Sequence, residues 1–544
     1  MKIRIPEASR LDKAIQAVAP VWAAKRAKAR VEIAASEAQS AFIGARKDRR
    51  QTSSWSAPAG SADADLLGDL QVLRDRSQHL VNNAPLATGA INTMATNVVG
   101  TGLVPKARIN RSVLKLTDEQ ADAWEDRAEW LFRLYALGEY GVDSTRELSL
   151  VDAQHLVLIG KLVRGDILAI RRYSEDDGGL VGFRWQFVEA DRVSNPTGKR
   201  NSATLRDGVQ KDAQGRVSGY WVQDQHPGDL TIGTTAKTWT LVPAWAQDGT
   251  RMAVLIYGIK RPEQSRGVPI LAPVIESFKQ LDDYRQGELM AAVISSMTTL
   301  FIKTTTGEGL NTGLNPDGTA QDKSPGSELQ LGYGAILDLG PDEEIQNPNP
   351  GRPNEAFGPF VESILQQIGA ALELPMSLLV KQFKASYSAS RGELLEAWKA
   401  FKSMRASLAM DFCVPTWEAV ISEHIARGNL AAPGFFEDPE IRAAWLAHDW
   451  IGPSAGTLDP SKEVKAAVDA IEGHLSTRDR ETVALNGGDW SADQRQRAKE
   501  TMRIKADGTK AEPKPAAAPP APGASQDTAD PAADEPDADD EEDT

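Results

Sequence analysis

From Leu70 to Val98 the apolar residues Leu73, Leu80, Ala84, Ala87, Ile91, Met94 and Val98 recur at spacings near three and four, with one gap at Ser77. That period predicts a helix on one buried face, and Gly100 stops it. Pro85 lies inside the pattern and cannot continue a regular ladder, so a helix pair or a kinked helix is expected. The stretch from Asn82 to Pro105, NNAPLATGAINTMATNVVGTGLVP, is rich in small residues, amides and threonines for a core helix. Two readings fit it. One is close, partly polar packing between subunits, carried by Asn82, Thr88 and Asn92; the other is a helix in the ordinary interior of one subunit.

Further elements follow from the same reading. Thr117 to Gln120, TDEQ, forms a capping box ahead of Trp124, Leu131, Leu134 and Tyr135, and Gly138 closes that helix. Leu148 to Arg164 reads as a helix with Leu156, Ile159 and Val163 on one face, after which GDILAIRRY switches to strand-like alternation. Strand and turn signals continue to about Arg261. Helix resumes after Pro269, with Leu271, Ile275, Phe278, Leu281, Leu289, Val293 and Met297 in phase. Unbroken, it would span about 40 Å at about 1.5 Å per residue. Residues 303–334 are rich in Gly, Asn and Asp and read as a long loop. Phe360, Ile364, Ile368 and Leu372 mark a helix ending at Leu374 before Pro375, and Leu394, Trp398, Phe401, Met404 and Leu408 mark another. Ser388 or Ser390 can cap the latter, with its successor running from Pro415 to Gly428.

Composition changes this picture at the ends. The chain of 544 residues exceeds what one core usually supports, so several domains are expected. The net charge is −15, but ten carboxylates between Asp527 and Asp543 have no Lys or Arg among them, which leaves about −5 (−15 less those ten) on residues 1–526. From about Ala506 the chain is Pro/Ala/Asp-rich and cannot bury enough apolar surface to fold. Residues 1–50 are helical in pattern and basic: a solvated helix face, or an arm for nucleic acid or a partner. The single cysteine, Cys413, excludes an intrachain disulfide framework. The N-terminus lacks the apolar core of a secretory signal, and the longest mostly apolar run, Leu289 to Ile302, falls short of the roughly 20 residues that span a bilayer.

Catalytic chemistry is sparse. No phosphate loop of the form G-x-x-x-x-G-K-[ST] occurs, and Gly100-Thr101-Gly102 ends a helix where a nucleotide fingerprint would open one. The six histidines show no H-x-x-x-H pairing, so no metal site is expected. No G-x-S-x-G elbow stands in a plausible frame. Neither a cofactor nor an enzymatic activity is predicted.

What is specific is an ordered string of motifs. LRDRSQHLVNNAPLATGAINTMATNVVGTGL at Leu73 is followed by GDILAI at Gly165, FVEADRV at Phe187, GIKRPEQSRGVPILAPVI at Gly258 and LELPMSLL at Leu372. ASYSASRGELLEAW at Ala385, WIGPSAGTLDPSKEVKAA at Trp450 and TRDRETVALNGGDW at Thr477 complete it. Over roughly residues 65–500 the chain resembles the lambda-type phage portal proteins. The resemblance implies a mixed α+β portal fold with long helices and a β-rich insert, assembling as a ring of normally twelve subunits around a channel for double-stranded DNA. Beyond a basic arm and linker (1–64), which like the tail carries no family motif, it divides the chain into a wing-like helical region with strand (65–172), a clip-like β-rich module (173–262) and a stem helix (263–302). A segment near the channel (303–355), a helical region with a crown-like end (356–505) and an acidic Pro/Ala-rich tail (506–544) follow.

The implied partners are further copies of the chain, the terminase large subunit, a head-tail connector, the major capsid protein and scaffold, and duplex DNA without sequence specificity, with no membrane. The implied location is the capsid portal vertex, with assembly in the host cytoplasm. Asn347, Asn349, Arg352 and Asn354, just before the 356–374 helix, are the channel-contact candidates, against a plain surface loop. Arg391 stands at the start of a helix, where a positive charge is unfavourable to the dipole, and is expected to form a salt bridge outside that helix. The competing function is another packaging component: a terminase ATPase-nuclease, which would need the missing phosphate loop and clustered carboxylates, or a capsid or tail structural protein.

Overall fold

The computed structural model describes residues 19–38, 54–137, 141–174, 179, 181–229, 237–296, 301–304, 343–346, 357–382, 387–456 and 459–506. It divides into two compact units, Met1–Leu458 and Asp459–Thr544.

The first unit opens with α1 (Pro20–Ala38), then α2 (Leu70–Asn83) and α3 (Pro85–Val98). Pro85 is the first residue of α3, where its missing N–H costs nothing, so a helix pair forms. Ala87, Ala90, Ile91, Thr93, Met94, Ala95 and Val98 of α3 are buried within this chain. The Thr88 hydroxyl donates back to the carbonyls of Val81, 2.5 Å, and Ala84, 3.1 Å. Most of the unusual composition therefore serves an interior helix whose small residues admit close neighbours. Asn82 and Asn92 remain exposed. At the far end of α3, Arg405 donates to the carbonyls of Asn97, 2.8 Å, and Val98, 3.0 Å, a cation on the negative helix terminus. Gly102, at φ +108°, then carries the chain against the next helix pair, where a Cβ would come within 2.6 Å of Val151 Cγ2.

Strand β1 (Val104–Ala107) leads into α4 (Asp118–Ala136), whose Thr117–Gln120 capping box is formed as expected. Helix α5 (Leu150–Arg164) has a second box, Ser149 with Asp152, and is followed by β2 (Asp166–Tyr173) and β3 (Phe183–Glu189). Four strands, β4 (Leu205–Arg206), β5 (Val209–Lys211), β6 (Val217–Gln223) and β7 (Trp239–Pro243), form an antiparallel meander. Strand β8 (Ala253–Tyr257) returns to pair with β2, giving a three-stranded sheet ordered β3-β2-β8.

That sheet is covered on both faces. Ile167, Ala169, Phe183, Trp185, Val254 and Ile256 join the helical core, while Leu168, Ile170, Val188, Ala253 and Leu255 pack with Val209, Tyr220, Val222 and Val242 of the meander. Successive strand side chains point to opposite faces, so the alternation expected of GDILAIRRY is missing from Asp166 to Ile170, which are buried throughout because the strand has two cores to fill.

Helix α6 (Ile275–Ser296) starts later than Pro269, because a 3₁₀ turn at Ala272–Val274 precedes it. Pro269 and Pro273 lack the N–H groups of a regular ladder, so the α-helix begins only beyond them and is about 33 Å long. The hairpin β9 (Phe301–Thr304) with β10 (Glu343–Gln346) pairs Phe301 with Gln346. Helix α7 (Phe357–Leu372) precedes α8 (Tyr387–Leu408), which runs through a π turn at Ala409–Cys413 directly into α9 (Val414–Ala426). The wide turn accommodates Pro415, which has no N–H for the carbonyl four residues back, and the Thr416 hydroxyl donates to Phe412 O at 2.7 Å instead. Helix α10 (Pro439–Leu446) and β11 (His448–Ile451) close the unit, with β11 antiparallel to β1 and Val104 opposite Ile451.

The second unit contains α11 (Pro460–Glu472), α12 (Arg478–Asn486) and α13 (Trp490–Ala506). Asp459 caps the first, accepting from Lys462 N at 3.3 Å, and Thr477 the second, accepting from Arg480 N at 3.3 Å.

Candidate functional site

The motifs at Leu73, Gly165, Phe187 and Gly258 lie far apart in sequence and converge on one buried carboxylate, Asp166. Its position follows from Gly165, which ends α5 at φ +90°. A Cβ there would stand 2.6 Å from Gly267 O, so only glycine lets the two backbones approach. Asp166 then receives a bidentate guanidinium from Arg266, Nε to Oδ2 and Nη2 to Oδ1, each 2.9 Å. Arg74 Nη2 adds 2.8 Å to Oδ2, and Gly267 N–H another 2.9 Å. Both ends of the Arg74–Asp166 pair are almost wholly buried, at 2% and 0% side-chain exposure.

The remaining donors are satisfied as well. Arg266 Nη1 donates to Val193 O and Asp207 O, both 2.7 Å, and to Asp207 Oδ2 at 2.8 Å, while Nη2 reaches Ala190 O at 2.8 Å. Arg74 Nε donates to Arg164 O at 2.9 Å, and Arg164 Nη1 returns a bond to Arg74 O at 3.2 Å. Ser265 binds Asp63 through its N–H, 2.9 Å, and its hydroxyl, 2.6 Å.

Burial would raise the Asp166 carboxyl, but Arg266 and Arg74 outweigh it and hold the group below the usual carboxylate range. Burial likewise opposes the Arg266 charge, and Asp166 with Asp207 overcomes that and raises its pKa. Arg74 is pushed down to about 10, first by burial and then by the Arg266 charge, and stays cationic at neutral pH. Two cations thus share two carboxylates. The arrangement fixes the relative positions of α2, β2 and the loop before α6; it offers neither a nucleophile nor a free base.

Other motifs meet elsewhere. Gln154 brackets Leu103, accepting from its N–H at 2.8 Å and donating to its carbonyl at 3.0 Å, and β1 beyond it pairs with the strand carrying Trp450. Trp185 Nε1 donates to Thr416 Oγ1 at 2.9 Å, tying the sheet to the start of α9.

The model for the phage portal protein, lambda family, matches residues 48–405. The chain belongs to this family. Among portal proteins it is 25% identical to the portal protein of Escherichia phage N15 over 84% of this chain and 89% of that one. It is also 25% identical to portal protein B of Escherichia phage lambda, over 85% and 89%. A chain from the neck of an empty gene transfer agent particle aligns with a TM-score of 0.41 at 10% identity, over 75% of this chain and 92% of that one. One from the native particle's virion gives 0.39 at 11%, over 69% and 92%.

Within this portal chain the channel candidates Asn347, Asn349, Arg352 and Asn354 lie outside the described residues. Arg391 is the fifth residue of α8 and half-buried. Because α8 already begins at Tyr387, Ser388 and Ser390 belong to its first turn and do not precede it as caps.

One cluster escapes sequence reasoning altogether. Glu189, Asp191 and His226 present ligand atoms within 4.8 Å of one another. His226 Nε2 lies 3.3 Å from Glu189 Oε2 and 3.5 Å from Asp191 Oδ2. Arg164 pairs with the same Asp191 oxygen, so a protein cation already answers the buried carboxylate. No spacing signal could have found the group, since the β4–β6 meander separates its members in sequence.

Proposed function

We propose that this portal protein assembles as a ring, normally of twelve copies, at the capsid vertex and passes double-stranded DNA into the head and out of it. The observation that carries the reading is the family match across residues 48–405. The β-rich module within 173–262 serves as the clip on which the terminase large subunit and then the head-tail connector dock, α6 is a stem helix, and the segment holding Asn347, Asn349, Arg352 and Asn354 faces the channel. Arg391 pairs with a carboxylate outside α8, and the major capsid protein and scaffold meet the ring's outer side. The ring is a virion component built in the host cytoplasm.

It works without catalysis. With no phosphate loop in the sequence, packaging work comes from a separate ATPase. A body of nearly balanced charge suits a conduit, because each phosphate neutralised releases counterions and adds grip. Averaged electron micrographs, an ATPase assay and filter binding over a salt series test this on purified protein. Closed rings with a central hole, background ATP turnover, and weak DNA binding that ignores sequence and vanishes with salt are expected. Shells or tubes, robust turnover, or tight salt-resistant binding to one sequence would overturn it.

A further inference from the structure

The second unit carries a concentrated charge on its last helix. Between Asp459 and Ala506 there are nine basic and nine acidic residues, but α13 alone holds Arg495, Arg497, Lys499, Arg503 and Lys505 against Asp493 and Glu500. Arg495, Lys499 and Arg503 follow at four-residue steps and share one face, while Asp493 and Glu500, seven apart, share another. No residue of α13 is buried, and Met502 on the basic face is 71% exposed. Glu500 is engaged by Gln496 at 2.8 Å.

The complementary charge lies on the same chain. Ten carboxylates fall between Asp527 and Asp543 with no basic residue among them. Residues 507–526 separate the two and are themselves neutral, with Asp507 and Glu512 against Lys510 and Lys514. A flexible tether of that length has an end-to-end distance of about 25 Å, and a fully extended Pro-rich one about 60 Å. Helix α13 is about 25 Å long. Every basic position on it is within reach, at an effective concentration in the millimolar range.

We propose that the acidic segment 527–543 docks on the basic residues of α13 in its own chain and screens them from other polyanions, duplex DNA included. The contact is electrostatic and salt-labile, because both surfaces are solvated. The basic arm around Lys25 and Lys28 is the rival site, but it has no short tether to the segment.

Zero-length carbodiimide coupling of the full chain, read by mass spectrometry, tests this. Amide links from the 527–543 carboxylates to Lys499 and Lys505 are expected at low salt, falling about tenfold near 1 M salt, where the Debye length is about 3 Å. The double variant R497E/R503E keeps both reporter lysines and should lower their yield comparably. Links mainly to Lys25 or Lys28, links insensitive to salt or to the double variant, or links mainly between isotopically light and heavy chains in a mixed preparation would each overturn the proposal. Ending the chain at Gln526 should tighten low-salt binding of duplex DNA several-fold, and R497E/R503E should abolish that gain. Unchanged DNA binding on truncation would refute the screening.

Discussion

Asp166 ties α2, β2 and the loop before α6 together through one buried carboxylate. Its removal leaves Arg74 and Arg266 buried with one carboxylate, Asp207, between them. Asp166→Asn keeps the shape and deletes the charge, so it should cost about 3–5 kcal/mol, the range for breaking one side of a buried ion pair; urea unfolding with the midpoint compared at constant m reads it. A loss under about 1 kcal/mol would mean the network is better hydrated than its burial shows. His424 offers a pH test. It is fully buried, with Asn429 Nδ2 at 3.2 Å from its Nδ1, and burial pushes its pKa down to about 4. The unfolded imidazole titrates near 6.5, so the unfolded chain binds the extra proton between about 6.5 and 4. Stability from this group is complete above that window and is lost as pH falls through it, on the order of 3 kcal/mol in all. His424→Asn should flatten the wild-type slope between those limits, and identical slopes would reject the assignment.

At the scale of elements, caps and prolines decide where helices start, and most of them are local enough to read in one dimension. The Thr117 hydroxyl accepts from Gln120 N at 3.3 Å while the Gln120 side chain accepts from Thr117 N at 3.1 Å, the reciprocal pair that TDEQ announces. Thr117→Ala should cost about 1 kcal/mol, measured by thermal unfolding, because one N-terminal donor loses its partner. Expectation and structure part at three helix boundaries. Helix α8 begins before its serines, and α6 waits for Pro273. The π turn at Ala409–Cys413 has no signal of its own; Pro415 requires some irregularity, and Lys161, donating to Ser407 Oγ at 2.7 Å and Asp411 Oδ2 at 3.3 Å, holds the chosen form.

At the scale of the whole molecule, the family motifs have two kinds of meaning. Those at Leu73, Gly165 and Gly258 meet at Asp166, and the Gly-Thr-Gly stop meets Trp450 through β1 and β11. They build the body of the portal subunit. The acidic segment after Gln526 carries none of these motifs: like charges on neighbouring copies repel, and its composition offers no run of apolar residues to pack. A chain ending at Gln526 should therefore form the same rings as the full chain, judged by averaged micrographs and sedimentation. Only monomers after truncation would show that the segment takes part in assembly.

Periodicity, caps and glycine stops determined the helices, and the order of the motifs determined the family, because those signals are carried by neighbours in the chain. The pairing of β1 with β11 and of β2 with β8, the double-sided burial of GDILAI, the Arg405 clasp on α3 and the meeting of His226 with Glu189 and Asp191 were decided only by the tertiary structure. Each joins residues separated by tens to hundreds of positions, whose proximity is set by shape complementarity in the core and not by any local preference. Arg266 shows the boundary between the two. In SRGVP it is one arginine among many, and only when Gly165 and Gly267 bring their backbones together does it face a carboxylate that must not be left alone in the core.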